Sequence, residues 1–99
     1  MISRQWRGLA KPEWADSYVD HLRRETFPKL EEIPGFVDAC ILRRAVDQGV
    51  EFLIVTRWSS IEAIEQFAGK NSDVAVVPES VQEMMVEYDR LVRHYDVVE

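Results

Sequence analysis

One cysteine, two histidines and no apolar run longer than four residues close off several kinds of chemistry in this 99-residue chain. Cys40 alone permits no intrachain disulfide and no thiolate metal cluster. It lies in the apolar run Ala39–Leu42 and reads as a buried core thiol rather than a nucleophile. His21 and His94 stand far apart, and there is no HExxH, CxxC or glycine-rich phosphate loop. An all-protein metal site is therefore not expected. Without a long apolar run the sequence offers neither a membrane span nor a signal peptide, which makes a cytoplasmic protein with no membrane partner the expectation. Cations are short too: 12 Lys and Arg against 18 Asp and Glu give a net charge of −6. Phosphate binding needs a basic field, so no nucleic acid partner is expected. The deficit falls in the second half, where residues 51–99 carry four basic and ten acidic side chains against eight and eight in residues 1–50.

What is present is an ordinary globular mixture, 46% hydrophobic and 30% charged, of a length that makes residues 1–99 one domain. The stretch Phe52–Gly69, FLIVTRWSSIEAIEQFAG, organises it. Phe52–Val55 is β-branched and aromatic and reads as a strand covered on both faces. Ser59 precedes Glu62 by three residues, a capping spacing that opens a helix. Ile61, Ile64, Phe67 and Ala68 give that helix an inner face, and Gly69 stops it.

Upstream, Met1–Gly8 alternates as a strand, and Lys11–Pro12 opens a helix whose inner stripe is Ala15, Tyr18, Val19, Leu22 and Thr26. Pro28 is expected to end that helix or tighten its last turn. Ile33–Gly35 is a turn, Phe36–Ala45 a strand, and Asp47–Gly49 a hairpin connector. Val74–Val77 reads as a short strand or a buried loop. Ser80–Glu83 repeats the capping spacing, and Val81, Met84, Met85 and Tyr88 predict a short helix before a last strand, Leu91–Val98. This order predicts an α+β, ferredoxin-like split βαβ fold, with a four-stranded antiparallel sheet and both main helices on one face. Strands apolar on both sides need their bare face covered, most simply by a second copy across a two-fold axis. A homodimer is expected.

The opening strand MISRQWRGLAKP, the strand–helix WSSIEAIEQFAG and the closing VRHYDVV resemble the antibiotic biosynthesis monooxygenase-like family of small dimeric α+β-barrel proteins. The resemblance spans nearly the whole chain. It implies an apolar cavity with a few polar groups, suited to a small aromatic ligand, in each protomer. Family members include cofactor-free oxygenases that turn phenols or anthrones into quinones, and haem-degrading monooxygenases. Many members place a pocket asparagine where this chain has Trp6, and Trp58 matches a tryptophan common in the family. The haem-degrading branch has a second tryptophan nine residues later, where Phe67 stands here, and a histidine after the second helix. Near Val74–Val77 there is none.

That resemblance implies oxidation of a small aromatic or polyketide-type compound by O2 with no cofactor and no metal. The site must then promote loss of a proton from the substrate and stabilise the anion in a dry pocket. His94, with His21 as an alternative, is a candidate proton acceptor. Trp58 and Trp6 offer indole N–H donors; Arg4 and Arg43 offer compensating charge. His94 and Trp58 are thus the catalytic candidates, and Trp6, Arg4, Arg43 and Phe67 the substrate-binding ones. Each also has a plain structural role open to it: the indoles as core or interface filling, Arg4 as partner of Asp96 or Glu51, His94 as an interface or surface residue, His21 as a solvated one, and the tyrosines as packing with wet hydroxyls. Two further readings stay open, a non-catalytic small-molecule-binding or stress-related dimer and a barrel packed solid by its own side chains.

Overall fold

The computed structural model describes every residue, Met1–Glu99. β1 (Ile2–Ala10) is the middle of the sheet, and β3 (Gly49–Trp58) pairs with it antiparallel along its full length, Ile2 opposite Trp58 and Ala10 opposite Val50. β2 (Phe36–Val46) forms a hairpin with β3 and makes one edge. The other edge of β1 is shared by two short strands. β4 (Met85–Tyr88) pairs near Gly8–Ala10 and β5 (Arg93–Asp96) near Ile2–Gln5. The sheet therefore has five strands rather than four, because the last track is broken at Asp89–Val92. At the break the Trp6 indole N–H donates to the Asp89 carbonyl at 2.8 Å, while the Val92 N–H donates to the Asp73 carbonyl and the Ala75 N–H to the Arg90 carbonyl, which ties the break to the segment after the second main helix.

The first helical region, an initial turn at Pro12–Trp14 followed by α1 (Ala15–His21), does not stop at Pro28. It passes through a wide π turn, Leu22–Thr26, into α2 (Phe27–Glu31). The Phe27 N–H reaches back to Leu22, five residues earlier, so Pro28 begins a new segment where a missing N–H costs little. This continuation carries Leu30 into the core, 2% exposed. Burying such a side chain is worth about 1.5–3 kcal/mol.

α3 (Ile61–Ala68) starts one residue later than the capping spacing predicts: Ser60, not Ser59, accepts the Ala63 N–H at 3.2 Å. Gly69 ends it with φ 81°. Val74 makes only a single bridge, to Leu91. The Val81–Tyr88 stripe is not one helix. α4 (Glu79–Gln82) is a single turn, too short to hold itself, and Met85 onward joins the unpaired edge of β1.

β3 alternates, with Phe52, Ile54, Thr56 and Trp58 buried against the helices and Leu53, Val55 and Arg57 half-buried on the other side. Both sides of the strand are apolar, and the outward one is the face that the sequence expects a second copy to cover. Cys40 is corrected outright: it lies on the outward face of edge strand β2, opposite Val55, and is exposed. No helix is long and apolar enough to cross a membrane.

Candidate functional site

The helices α1 and α2 cross the inner face of β1 and β3 without filling the space beneath them. A cavity of about 80 Å³ remains, room for roughly five to eight water-sized groups. Its floor is Arg4 and Trp6 of β1 with Ile54 and Thr56 of β3, which sit opposite one another in register. Leu22, Phe27 and Leu30 roof it, Phe67 closes one end, and Val76–Pro78 form a cover. Gly8 explains how Trp6 lies flat enough to serve as floor: a Cβ at position 8 would come within 2.4 Å of the indole ring.

Five polar side chains break this apolar lining, Arg4, Tyr18, His21, Thr26 and Thr56, and four of them are informative. Arg4 is only 5% exposed. Its Nη1 donates to the Ser72 carbonyl and to His94 Nε2 at 3.1 Å, its Nη2 donates to the Val74 carbonyl at 3.2 Å, and the guanidinium lies 5.8 Å from the Phe67 ring centre. Burial lowers its pKa to about 10, with the Asp73 charge opposing, so it stays cationic at neutral pH. Arginine has only donors, so His94 must accept through Nε2 and carry its proton on Nδ1, which faces Asp73 Oδ1 at 3.3 Å. Burial, and then the Arg4 charge, holds His94 below the ordinary histidine pKa.

Tyr18 is 3% exposed, with its ring edge-on to Phe52 at 4.9 Å and tilted against Trp6 at 6.1 Å. Its hydroxyl has no hydrogen-bond partner in the protein and is not sealed off, which leaves the cavity as its outlet. Burial pushes its pKa up, so it is a neutral donor. His21 also lines the cavity, with its side chain 12% exposed. Its Nδ1 lies 2.8 Å from Glu25 Oε2, a carboxylate in the π turn, which leaves Nε2 as the ring nitrogen free to meet a ligand. Thr56 is already committed: its Oγ1 accepts the Trp58 indole N–H at 2.8 Å.

The structure thus sorts the expected residues. Arg4, Trp6 and Phe67 line the cavity. Trp6 gives it a face rather than a donor, since its N–H is held by Asp89. Trp58 lies behind the wall, fully buried, with Phe67 stacked on it at 6.2 Å. His94 stands outside the lining and touches it only through Arg4. Arg43 is on the outer surface, paired with the exposed Asp16 at 3.0 Å. Neither Asp96 nor Glu51 pairs with Arg4; Glu51 instead holds Arg7 and Arg44 on the opposite sheet face. Tyr18 is a cavity residue and not a wet-edge one. His21 had a signal in sequence, since the helix-one stripe places it one turn from Tyr18 and four residues before Glu25.

A family model described as antibiotic biosynthesis monooxygenase matches residues 1–72. Similar solved structures include a Bacillus cereus protein assigned to the antibiotic biosynthesis monooxygenases, 20% identical, with a TM-score of 0.69 over 100% of this chain and 93% of that one. A Caulobacter crescentus protein of the same assignment is 15% identical, with a TM-score of 0.73 over 99% and 90%. The haem-degrading MhuD of Mycobacterium tuberculosis, solved with two haems bound, is 18% identical, with a TM-score of 0.61 over 100% and 97%. No curated protein matches the chain. Identities this low speak for the fold, and the family rests on the family model. With that model covering residues 1–72 of 99, the chain belongs to the antibiotic biosynthesis monooxygenase family.

Proposed function

We propose that this protein oxidises a small, acidic aromatic or polyketide-type compound with O2, using the substrate itself as the electron donor. The observation that carries the reading is a largely apolar cavity lined at once by a buried guanidinium, an unbonded tyrosine hydroxyl and an imidazole oriented by a carboxylate. His21 Nε2 takes a proton from the activated CH2 of the substrate, and Glu25 holds the ring for it. The resulting anion is stabilised by Arg4 and Tyr18 in a medium where fixed charges and dipoles act strongly. The anion gives up its electron pair to O2, in one-electron steps, and forms a C–O bond. The peroxide formed takes the proton back from His21, and loss of the remaining C–H with O–O cleavage leaves a carbonyl and water. One O2 is consumed per CH2 converted to C=O, with one oxygen atom kept and one released.

The test is oxygen uptake against a panel of single-ring phenols and enolisable ketones. Turnover is expected to fall by about 10²-fold or more in H21Q. Y18F should lower kcat while leaving thermal stability nearly unchanged, because its hydroxyl bonds nothing in the protein. No uptake with any member of the panel would overturn the oxygenase reading. A second reading, ligand binding without turnover, is favoured by the Trp6 indole N–H, which points to Asp89 instead of the cavity. It predicts thermal stabilisation by panel compounds in the absence of uptake.

Haem does not fit these residues. The segment 70–78 that covers the cavity contains no histidine, and both ring nitrogens of His94 are engaged. A space of about 80 Å³ is the size of a single six-membered ring and far short of a tetrapyrrole. We also propose that the outward sheet face meets a second copy of the chain. What supports this is an apolar strip of Cys40, Leu42, Leu53 and Val55, flanked by the ion pairs Arg44–Glu51 and Arg57–Asp38.

A further inference from the structure

Arg4 is a buried cation without a carboxylate of its own, and that fact bears on what the cavity holds. Buried charges in proteins are paired, because taking a lone ion out of water costs several kcal/mol. Every other arginine with a partner on this sheet has a carboxylate: Arg7 and Arg44 share Glu51, Arg57 has Asp38, and Arg43 has Asp16. The acid nearest Arg4 is Asp73, and the imidazole of His94 stands between them, taking Asp73 on one nitrogen and Arg4 on the other. Arg4 is left with carbonyl oxygens and a neutral imidazole.

Its donors can be counted. A guanidinium has five N–H bonds. Three are used here, to Ser72, His94 and Val74, which leaves two. The same side chain lines the cavity, and Phe67 and the floor of Ile54 and Trp6 offer flat apolar surface beside it. A fork of two free donors on a cation is the arrangement that carboxylates and other delocalised oxyanions fill best.

We propose that the cavity selects its ligand as an anion: a planar compound of a single ring whose ionised carboxylate or enol oxygen completes the coordination of Arg4. Tyr18 packs on Phe52, four register positions along β1 and β3 from the Arg4–Thr56 pair, so it lies toward the opposite end of the cavity. From there its neutral hydroxyl meets a second oxygen on the far side of the ring. The ligand therefore arrives already ionised at one end and keeps a hydrogen-bonding group at the other. His94 and Asp73 act as positioning residues, holding the guanidinium edge inward and the cover segment Ser72–Val74 down.

This deepens the proposed use of the cavity and is tested by binding alone, so that its failure and the failure of oxygen uptake are separate results. Calorimetric titration at pH 8 compares benzoate with benzamide, and 1,3-cyclohexanedione in its ionised form with 3-aminocyclohex-2-enone. Each pair keeps its shape and changes its charge. At least tenfold tighter binding of the anion in either pair is expected, with the larger gap identifying carboxylate or enolate as the preferred class. R4M, close in length and apolar, should erase that gap, and R4K should keep part of it. Equal affinities within both pairs, or a preference that survives in folded R4M, would overturn the proposal. If R4M fails to fold, a preference in the wild type that R4K leaves undiminished overturns the forked contact instead.

Discussion

Thr56→Val tests whether Trp58 belongs to the scaffold or to the chemistry. The Trp58 indole is fully buried, and its single hydrogen bond runs 2.8 Å to the Thr56 hydroxyl, itself on a side chain 6% exposed. Valine matches threonine in shape and suits a strand, so the substitution opens no cavity and costs no propensity. What it removes is the acceptor, leaving a buried N–H with nowhere to go. Such an orphan costs about 1–3 kcal/mol, and in a chain of this size about 2 kcal/mol lowers Tm by roughly 8–16 °C. Urea unfolding at fixed protein concentration measures it. The double-mutant cycle with Trp58→Phe isolates the bond, because once the indole N–H is gone the valine has nothing to orphan. The penalty for T56V should therefore shrink in the W58F background by about 1–3 kcal/mol. A coupling under about 0.5 kcal/mol would refute the assignment of Trp58 as a hydrogen-bonded wall element and reopen its N–H as a donor to ligand.

Two more outcomes follow from the same geometry. His94 is held below its ordinary pKa by burial and by Arg4, so the unfolded chain takes up its proton first as pH falls. The stability tied to the neutral imidazole is full above about pH 6.5 and declines as pH drops through that value toward the folded pKa. The difference in urea midpoint between wild type and H94Q should narrow over that range, and parallel curves between pH 5 and 8 would contradict it. For the outward strip, Leu42→Glu places a charge at an exposed position opposite Leu53. Sedimentation should show a shift from dimer to monomer with little loss of fold, and an unchanged sedimentation coefficient would remove the second copy from this face.

Much of the fold was legible because its elements are local. The Phe52–Trp58 strand, the α3 stripe and the Gly69 stop are written in adjacent residues, and a hairpin through Asp47–Gly49 needs no distant information. The errors fell where a long-range demand overrode a local pattern. Met85 and Tyr88 fit a helical stripe with Val81, but the open edge of β1 offers ladder bonds that a one-turn helix cannot match. Pro28 is a breaker in isolation. A π turn that ends on a bond from Phe27 to Leu22 lets the chain pass it without losing the helix axis. Cys40 looks buried because its neighbours are apolar, yet an edge strand has one side open whatever its composition.

The site was legible by residue type and not by role, and Arg4 shows why. Its burial could be read from a central strand, and the need for a partner followed; the identity of that partner could not. Asp96 and Glu51 were reasonable by sequence, but pairing depends on which face and which register each occupies. In the sheet, β1 alternates Arg4 inward with Gln5 and Arg7 outward, so Glu51 falls to Arg7, and the break between β4 and β5 brings Ser72–Val74 and His94 to Arg4 instead. The same break turns the Trp6 indole toward Asp89 and makes it a floor. One interruption in the last strand therefore decides three things at once: which indole donates, which histidine is engaged, and why a guanidinium is left facing an apolar cavity with two donors free. An anion in that cavity would satisfy the buried cation that the fold leaves without a carboxylate, and the anion–neutral ligand pairs measure that directly.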